Sequence, residues 1–176
     1  MMPKKLKPTR KMQFRRRLEG KTDYKKRLSL LKSGRPRLVV RKSLNYIRAQ
    51  IVEYEKGGDK TIASAYSGDL KKLGWTHPCD NTPAAYLTGM MLAKEAKEKK
   101  IDNIILDMGL YTSTKGSRIY AVVKGMADSG VSIPHDEEMM PSDERIRGDH
   151  IASHNENSKD IQKKFNEVKN KLEKGE

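Results

Sequence analysis

The sequence predicts an α/β fold: a small mixed sheet in the order strand-strand-strand-helix-strand-helix, with a basic N-terminal extension before it and a C-terminal helix after it. Three observations predict this. Short runs between residues 37 and 67 are β-branched or alternate apolar with polar, and turn residues separate them. A proline-started helix then leads to an unbroken apolar strand, which implies a right-handed parallel crossover. Two later stretches repeat apolar residues at the helical period. A chain of 176 residues supports one domain with tails, divided here into an extension over 1–34, a core over 35–131 and a tail over 132–176.

Residues 1–13 carry two prolines, many lysines and no apolar period, so they are expected to be extended and disordered until a partner orders them. Thr22-Asp23 can cap a short helix in which Tyr24, Leu28 and Leu31 share one face, with Gly34 and Pro36 ending it. Arg37-Leu38-Val39-Val40-Arg41 is the first strand. Lys42 to Tyr46 is a polar turn, and Ile47 to Tyr54 is the second strand of a hairpin. Lys56-Gly57-Gly58-Asp59 makes the next turn before a third strand over 61–67. Residues 68–81 have no clear period.

Thr82-Pro83 starts a helix, because proline in the first turn gives up no hydrogen bond. Its Ala85, Gly89, Leu92, Ala93 and Ala96 form a small-residue face suited to close contact with a sheet, opposite Lys94, Glu95, Lys97, Glu98 and Lys99. Asn103 to Met108 reads as a strand covered on both faces. Ser117 can cap a helix with Ile119, Val122, Val123, Met126 and Ala127 on one side, stopped by Gly130. The chain then turns irregular and acidic. Finally Ser158 caps a helix whose Ile161, Phe165, Val168 and Leu172 need a surface to pack on.

Charge points to the partner. The first 48 residues hold 18 Lys or Arg against Glu19 and Asp23, while the remaining 128 hold 19 against 21 acids, so the net +14 sits at one end. Such a concentration repels itself unless a polyanion neutralises it, and nucleic acid is the first candidate. One cysteine, Cys79, excludes an intrachain disulfide and fits a reducing compartment. No apolar run approaches the roughly 20 residues needed to cross a bilayer, and the basic start lacks a signal-peptide core.

Candidate chemistry is sparse. Glu53, Asp69, Asp107 and Asp128 lie near predicted element ends, an arrangement shared with two-metal nucleases of ribonuclease H-like topology. The first strand, however, offers arginines where such a site needs a carboxylate. His150 and His154 lack a third ligand, and His77 with Cys79 is weaker still. No nucleophile elbow, phosphate cradle or cofactor motif is present, so no catalytic residue, metal or cofactor is assigned. The loop from Gly109 to Arg118 differs: it joins glycines, hydroxyls, Tyr111 and two cations to a helix N-terminus, chemistry that suits phosphates or an RNA sugar edge.

Several segments together resemble one family. They are Phe14 to Tyr24, Pro36 to Ser43, Tyr46 to Ile51, Leu106 to Gly109 with Gly116-Ser117-Arg118, Ile133-Pro134-His135, and Asp143 to Ile151. In order and spacing they are similar to the large-subunit ribosomal protein that holds 5S ribosomal RNA, often called ribosomal protein eighteen of the large subunit, in its archaeal branch. Leu44 and the lysine-rich start before Phe14 depart from the family pattern.

The resemblance implies a non-enzymatic role in the central protuberance of a cytoplasmic ribosome. The expected partners are 5S ribosomal RNA, large-subunit ribosomal RNA and neighbouring large-subunit proteins, with no membrane. Carried over by position, the RNA-binding residues are Arg15, Arg16, Arg17, Lys21, Thr22, Tyr24 and Arg27 in the extension, where Lys11 just ahead of the match is added to them, and Arg41, Lys42, Asn45 and Arg48 around the hairpin. Lys115, Ser117 and Arg118 before the last core helix, with Arg145 and Arg147 in the tail, complete the set. Two alternatives remain: a non-specific polyanion- or membrane-surface-binding module, which would want a broad apolar face, and the metal nuclease.

Overall fold

The structure, a computed structural model, describes residues 12–174. The expectation of a disordered start therefore concerns positions that, apart from Met12 and Gln13, lie outside the described residues. β1 (Arg37–Lys42), β2 (Ile47–Glu55) and β3 (Gly58–Tyr66) form an antiparallel meander, and β4 (Ile105–Asp107) joins β1 in parallel. The sheet order is β3-β2-β1-β4. Ser43 closes the first hairpin: its N–H donates to the Tyr46 carbonyl at 2.8 Å, and its Oγ accepts the Tyr46 N–H at 3.1 Å. The second hairpin is tighter than the sequence predicts. Glu55 faces Gly58 across a two-residue turn, so Asp59 is a rung of the ladder opposite Tyr54 and not part of the turn.

Period-two alternation sorts the meander into two faces. Leu38, Val40, Ile47, Ala49, Ile51, Ala63 and Ala65 are all buried on one face. Against that face lies α3 (Thr82–Glu98), with α4 (Arg118–Asp128) packed on α3. β4 corrects the sequence reading: it is three residues long, at the sheet edge, and Ile105 and Leu106 are only half-buried, so it is not covered on both faces.

The cap of α3 is Asn81, whose side chain accepts the Ala84 N–H at 2.9 Å, and Pro83 follows in the first turn. Within the predicted small-residue face, Gly89 meets a different neighbour. Gly89 lies against the backbone of α4, and an added Cβ would overlap the Val122 carbonyl oxygen and come within 3.0 Å of its carbon. Gly125 meets the Tyr86 carbonyl in the same way. The two helices thus cross glycine on backbone, closer than any side chain allows. Gly89→Ala is expected to destabilise the fold by about 1–3 kcal/mol through overpacking. Chemical denaturation checks this, and an unchanged midpoint would show that the crossing can open.

The acidic tail predicted as irregular is partly helical, and a further short helix lies ahead of the predicted one. A single turn, α1 (Arg15–Leu18), precedes α2 (Tyr24–Leu31), and α5 (Asp143–Arg147) and α6 (Asp149–His154) occupy the acidic tail. Each of α1, α5 and α6 is too short to show a period. The final helix, α7 (Ile161–Lys174), begins later than Ser158, which instead ends a 3₁₀ turn. It packs on its own domain: Ile161, Phe165 and Val168 are buried, and the Phe165 ring lies 5.7 Å from that of Tyr86. Lys171 Nζ donates to the Leu73 carbonyl at 3.0 Å.

Candidate nucleic-acid interface

Among the described residues, the other face of the sheet carries no long helix. Strand register places Arg37, Val39 and Arg41 of β1 on it beside Arg48 and Gln50 of β2, Tyr66 and Ser64 of β3, and Ile105 and Asp107 of β4. Arg41 stands opposite Arg48, and Arg48 opposite Tyr66, so a row of two cations and a ring runs across three strands. Like charges directly opposed weaken a sheet. Here each cation has its own support. Arg48 lies over the Tyr66 ring, 5.6 Å from its centre, and Arg41 donates to the Asp107 carbonyl at 2.8 Å. Tyr46 packs on Tyr66 with 5.0 Å between ring centres, and Lys71 approaches Tyr46 from outside at 5.9 Å.

Beneath the row runs a ladder of alternating charge. Arg37, only 2% exposed, donates through Nη1 to Asp107 Oδ2 at 2.8 Å. Its Nη2 lies 2.8 Å from Asp59 Oδ2 but out of line for a donated hydrogen bond, so that contact is Coulombic. Asp59 Oδ1 accepts from Arg27 Nη2 at 2.7 Å, and Asp107 Oδ1 lies 3.3 Å from Arg41 Nη2. The sequence Arg27, Asp59, Arg37, Asp107, Arg41 therefore ties α2, β3, β1 and β4 together. Gly109 completes the arrangement. It adopts φ +62, donates its N–H to Asp107 Oδ1 at 2.8 Å, and leaves room for the Arg41 guanidinium, which an added Cβ would meet at 2.9 Å.

Burial pushes the Asp59 carboxyl upward, but the Arg37 and Arg27 guanidinium groups outweigh it and hold the group below its usual 3.8. A carboxyl lowered on folding contributes stability above its unfolded pKa and loses it as pH falls through the folded value. Wild-type protein should therefore lose more stability than Asp59→Asn between about pH 4 and pH 3. Urea midpoints at the two pH values measure this, and parallel losses would contradict it.

The N-terminal segment stands over this ladder and makes a cleft of about 700 Å³ with the end of β4. Its cationic lining is Arg16, Lys21, Lys26, Arg27 and Arg41, joined by Tyr24 and Tyr111. No residue of α2 is buried, and Leu28 is 57% exposed, so the predicted apolar stripe does not enter the core. The helix is instead capped by Asp23, which accepts the Lys25 and Lys26 N–H groups at 3.0 and 3.1 Å, and is held to the sheet by Arg27. Arg16 Nε donates to Thr22 Oγ1 at 2.9 Å, while Arg15 and Lys21 both pair with Glu19. Tyr24 stacks at a tilt on Phe14, 4.9 Å away.

The remaining candidate residues divide. Lys11 lies outside the described residues. Arg17 and Asn45 are exposed, Asn45 at the hairpin tip, and Lys42 sits over the Tyr111 ring at 5.2 Å. Only Gly109, Leu110 and Tyr111 of the loop singled out in the sequence line the cleft. Lys115 pairs with Glu138 at 2.8 Å, Arg118 with Asp80 at 3.0 Å, and Ser117 precedes α4 without a side-chain cap bond. Arg145 and Arg147 belong to α5, where Arg147 borders a separate cleft with Asp149, Gln162 and Lys169. Tyr46, Tyr66, Lys71, Lys26 and Tyr111 complete the charged and aromatic surface, and sequence reasoning had not placed them there. Tyr111 had a signal as the ring of the highlighted loop, and Lys26 as one of the cations of the basic N-terminal extension.

The nuclease alternative meets a direct obstacle, since Asp107 is already held by two arginines. The model of the family described as ribosomal large subunit proteins 60S L5 and 50S L18 matches residues 9–104 and 95–136. The chain belongs to that family. A member of the L5/L18 family is a structural ribosomal protein and not an enzyme, which removes the nuclease reading. A similar relative is the large ribosomal subunit protein uL18 of Korarchaeum cryptofilum (strain OPF8), 52% identical over 143 residues, which is 81% of this chain and 73% of that protein. That relative agrees with the archaeal branch expected from the sequence. Among the described residues no helix is long and apolar enough to cross a membrane.

Proposed function

We propose that this L5/L18 family member, a structural constituent of the large ribosomal subunit, binds 5S ribosomal RNA and helps anchor it to the large-subunit ribosomal RNA in the central protuberance. The observation that carries the proposal is the in-register row Arg41, Arg48, Tyr66 beside a cleft with five cations in its lining. Guanidinium groups reach phosphates and base edges, and exposed rings accept unpaired bases. The row, in which Arg41 and Arg48 are exposed and Tyr66 half-buried, is continuous with the cleft through Arg41, so one RNA surface can span both. Lys115 and Arg118, already paired within the chain, become secondary contacts, and Arg145 and Arg147 suit a different RNA segment or a neighbouring large-subunit protein.

Replacing Arg48 with glutamine tests the row. One phosphate contact contributes a slope of about 0.9 in the dependence of log affinity on log salt, so the variant should bind 5S RNA about fivefold more weakly at 0.15 M salt. Unchanged affinity and slope would remove the open face from the interface.

A further inference from the structure

The cleft contains three carboxylates, Asp23, Asp59 and Asp107, among its cations, and a carboxylate facing a polyanion is unfavourable unless it does something else, as Asp23 does in capping α2. Asp107 belongs to the buried part of the ladder, and its structural role is sufficient reason for its presence. Asp59 is different. Its side chain is 28% exposed at the cleft, on the second rung of a hairpin, where no core packing requires it.

Resting on the RNA-binding reading above, we infer that Asp59 is a positioning residue for that interface: it aims Arg27 and fixes α2 over the sheet face, so that its negative charge strengthens RNA binding. Three observations converge on it. Asp59 bridges two guanidinium groups, with Arg27 at 2.7 Å from Oδ1 and Arg37 at 2.8 Å from Oδ2. Arg37 is buried and anchored in turn by Asp107, so Asp59 is referenced to the rigid sheet and not to a mobile surface group. No residue of α2 is buried, and Arg27 gives the only side-chain bond from α2 to the sheet among the described residues. The orientation of the arm therefore rests on this ion pair, whereas the long helices α3, α4 and α7 rest on apolar burial.

A helix held this way keeps Lys26 and Tyr24 pointed into the cleft before RNA arrives, and lowers the ordering cost of binding. Arg27 has five N–H donors and uses one toward Asp59, which leaves others to meet a phosphate while the pair stays intact. A simple charge argument gives the opposite expectation. On that view Asp59 only repels phosphates, and removing it should tighten binding.

Asp59→Asn, which makes the chain one charge more positive, separates the two. The expected result is three- to tenfold weaker binding to 5S RNA at 0.15 M salt, recovery in Asp59→Glu, and faster hydrogen exchange in α2 of the free protein. In an Arg27→Gln background the same substitution should no longer weaken binding, because the group it positions is gone. Thermal unfolding confirms that each variant is folded. Equal or tighter binding by Asp59→Asn overturns the inference, as does equal weakening in both backgrounds. If exchange in α2 rises while affinity also rises, Asp59 is a strap that competes with RNA, and positioning is likewise overturned. Failure of the wild-type chain to prefer 5S RNA over transfer RNA would instead remove the underlying reading, so the two failures are distinct.

Discussion

Replacing Asp107 with alanine is expected to cost about 3 kcal/mol of folding stability or more, because breaking a buried ion pair leaves its partner charged and uncompensated. Arg37 is 2% exposed and Asp107 only 7% exposed, so water cannot readily replace the lost carboxylate. The same oxygen atoms also orient Arg41 and accept the Gly109 N–H, so the turn beyond β4 loses its lock as well. Asp59 remains as a second partner for Arg37, which places the cost at the lower end of the usual 3–5 kcal/mol. For a chain of this size the thermal midpoint should fall by roughly 6–12 °C. Asp107→Asn keeps the shape and the Gly109 acceptor and should cost less. A loss below about 1 kcal/mol in the alanine variant would mean that Arg37 is hydrated where it lies.

A larger effect on binding is expected from the cleft. Changing Arg16, Lys21 and Lys26 together to glutamine removes three exposed cations without touching the ladder. At about 0.9 of salt slope per phosphate, three contacts should lower the slope by about 2.7 and the affinity for 5S RNA about a hundredfold at 0.15 M salt. Folding should be nearly unaffected, since none of the three is buried and surface ion pairs contribute little. Measured affinities across a salt series decide it. A uniform loss without a change of slope would point to misfolding of the arm.

Much of the architecture was legible because it is local. Alternation in β1 to β3, the proline after Thr82 and the period of α4 each act within a few residues, and Ser117, Thr82 and Asp23 fall where the helices begin. What was not legible depends on distance. Arg37 read as a cation that would repel a metal, which is correct chemistry, but its burial follows from a partner 70 residues away. Gly89 announced close packing and was expected to meet the sheet, but its neighbour is the backbone of α4. The apolar centre of β4 suggested a fully covered strand, yet among the described residues β4 is an edge strand paired with β1, and Ile105 and Leu106 stay half-buried.

The interface shows the same division. Charge density located the arm, and the arm does supply much of the cleft. Whether a particular cation is available, however, depends on which acid it meets, and Lys115 and Arg118 meet Glu138 and Asp80 across turns with no sequence pattern. Tyr66 was invisible for a related reason. Only pairing register puts it beside Arg48, and register is set by the whole hairpin.

The central claim is RNA recognition by a built surface, as distinct from attraction by charge alone. It is tested most directly by the affinity of the intact chain for 5S RNA and for transfer RNA, each measured across a salt series. Recognition predicts a preference for 5S RNA of at least about a hundredfold at physiological salt, retained as the salt-dependent part of both affinities declines. Equal affinity for the two RNAs, abolished together by salt, would contradict it and leave only a polyanion grip.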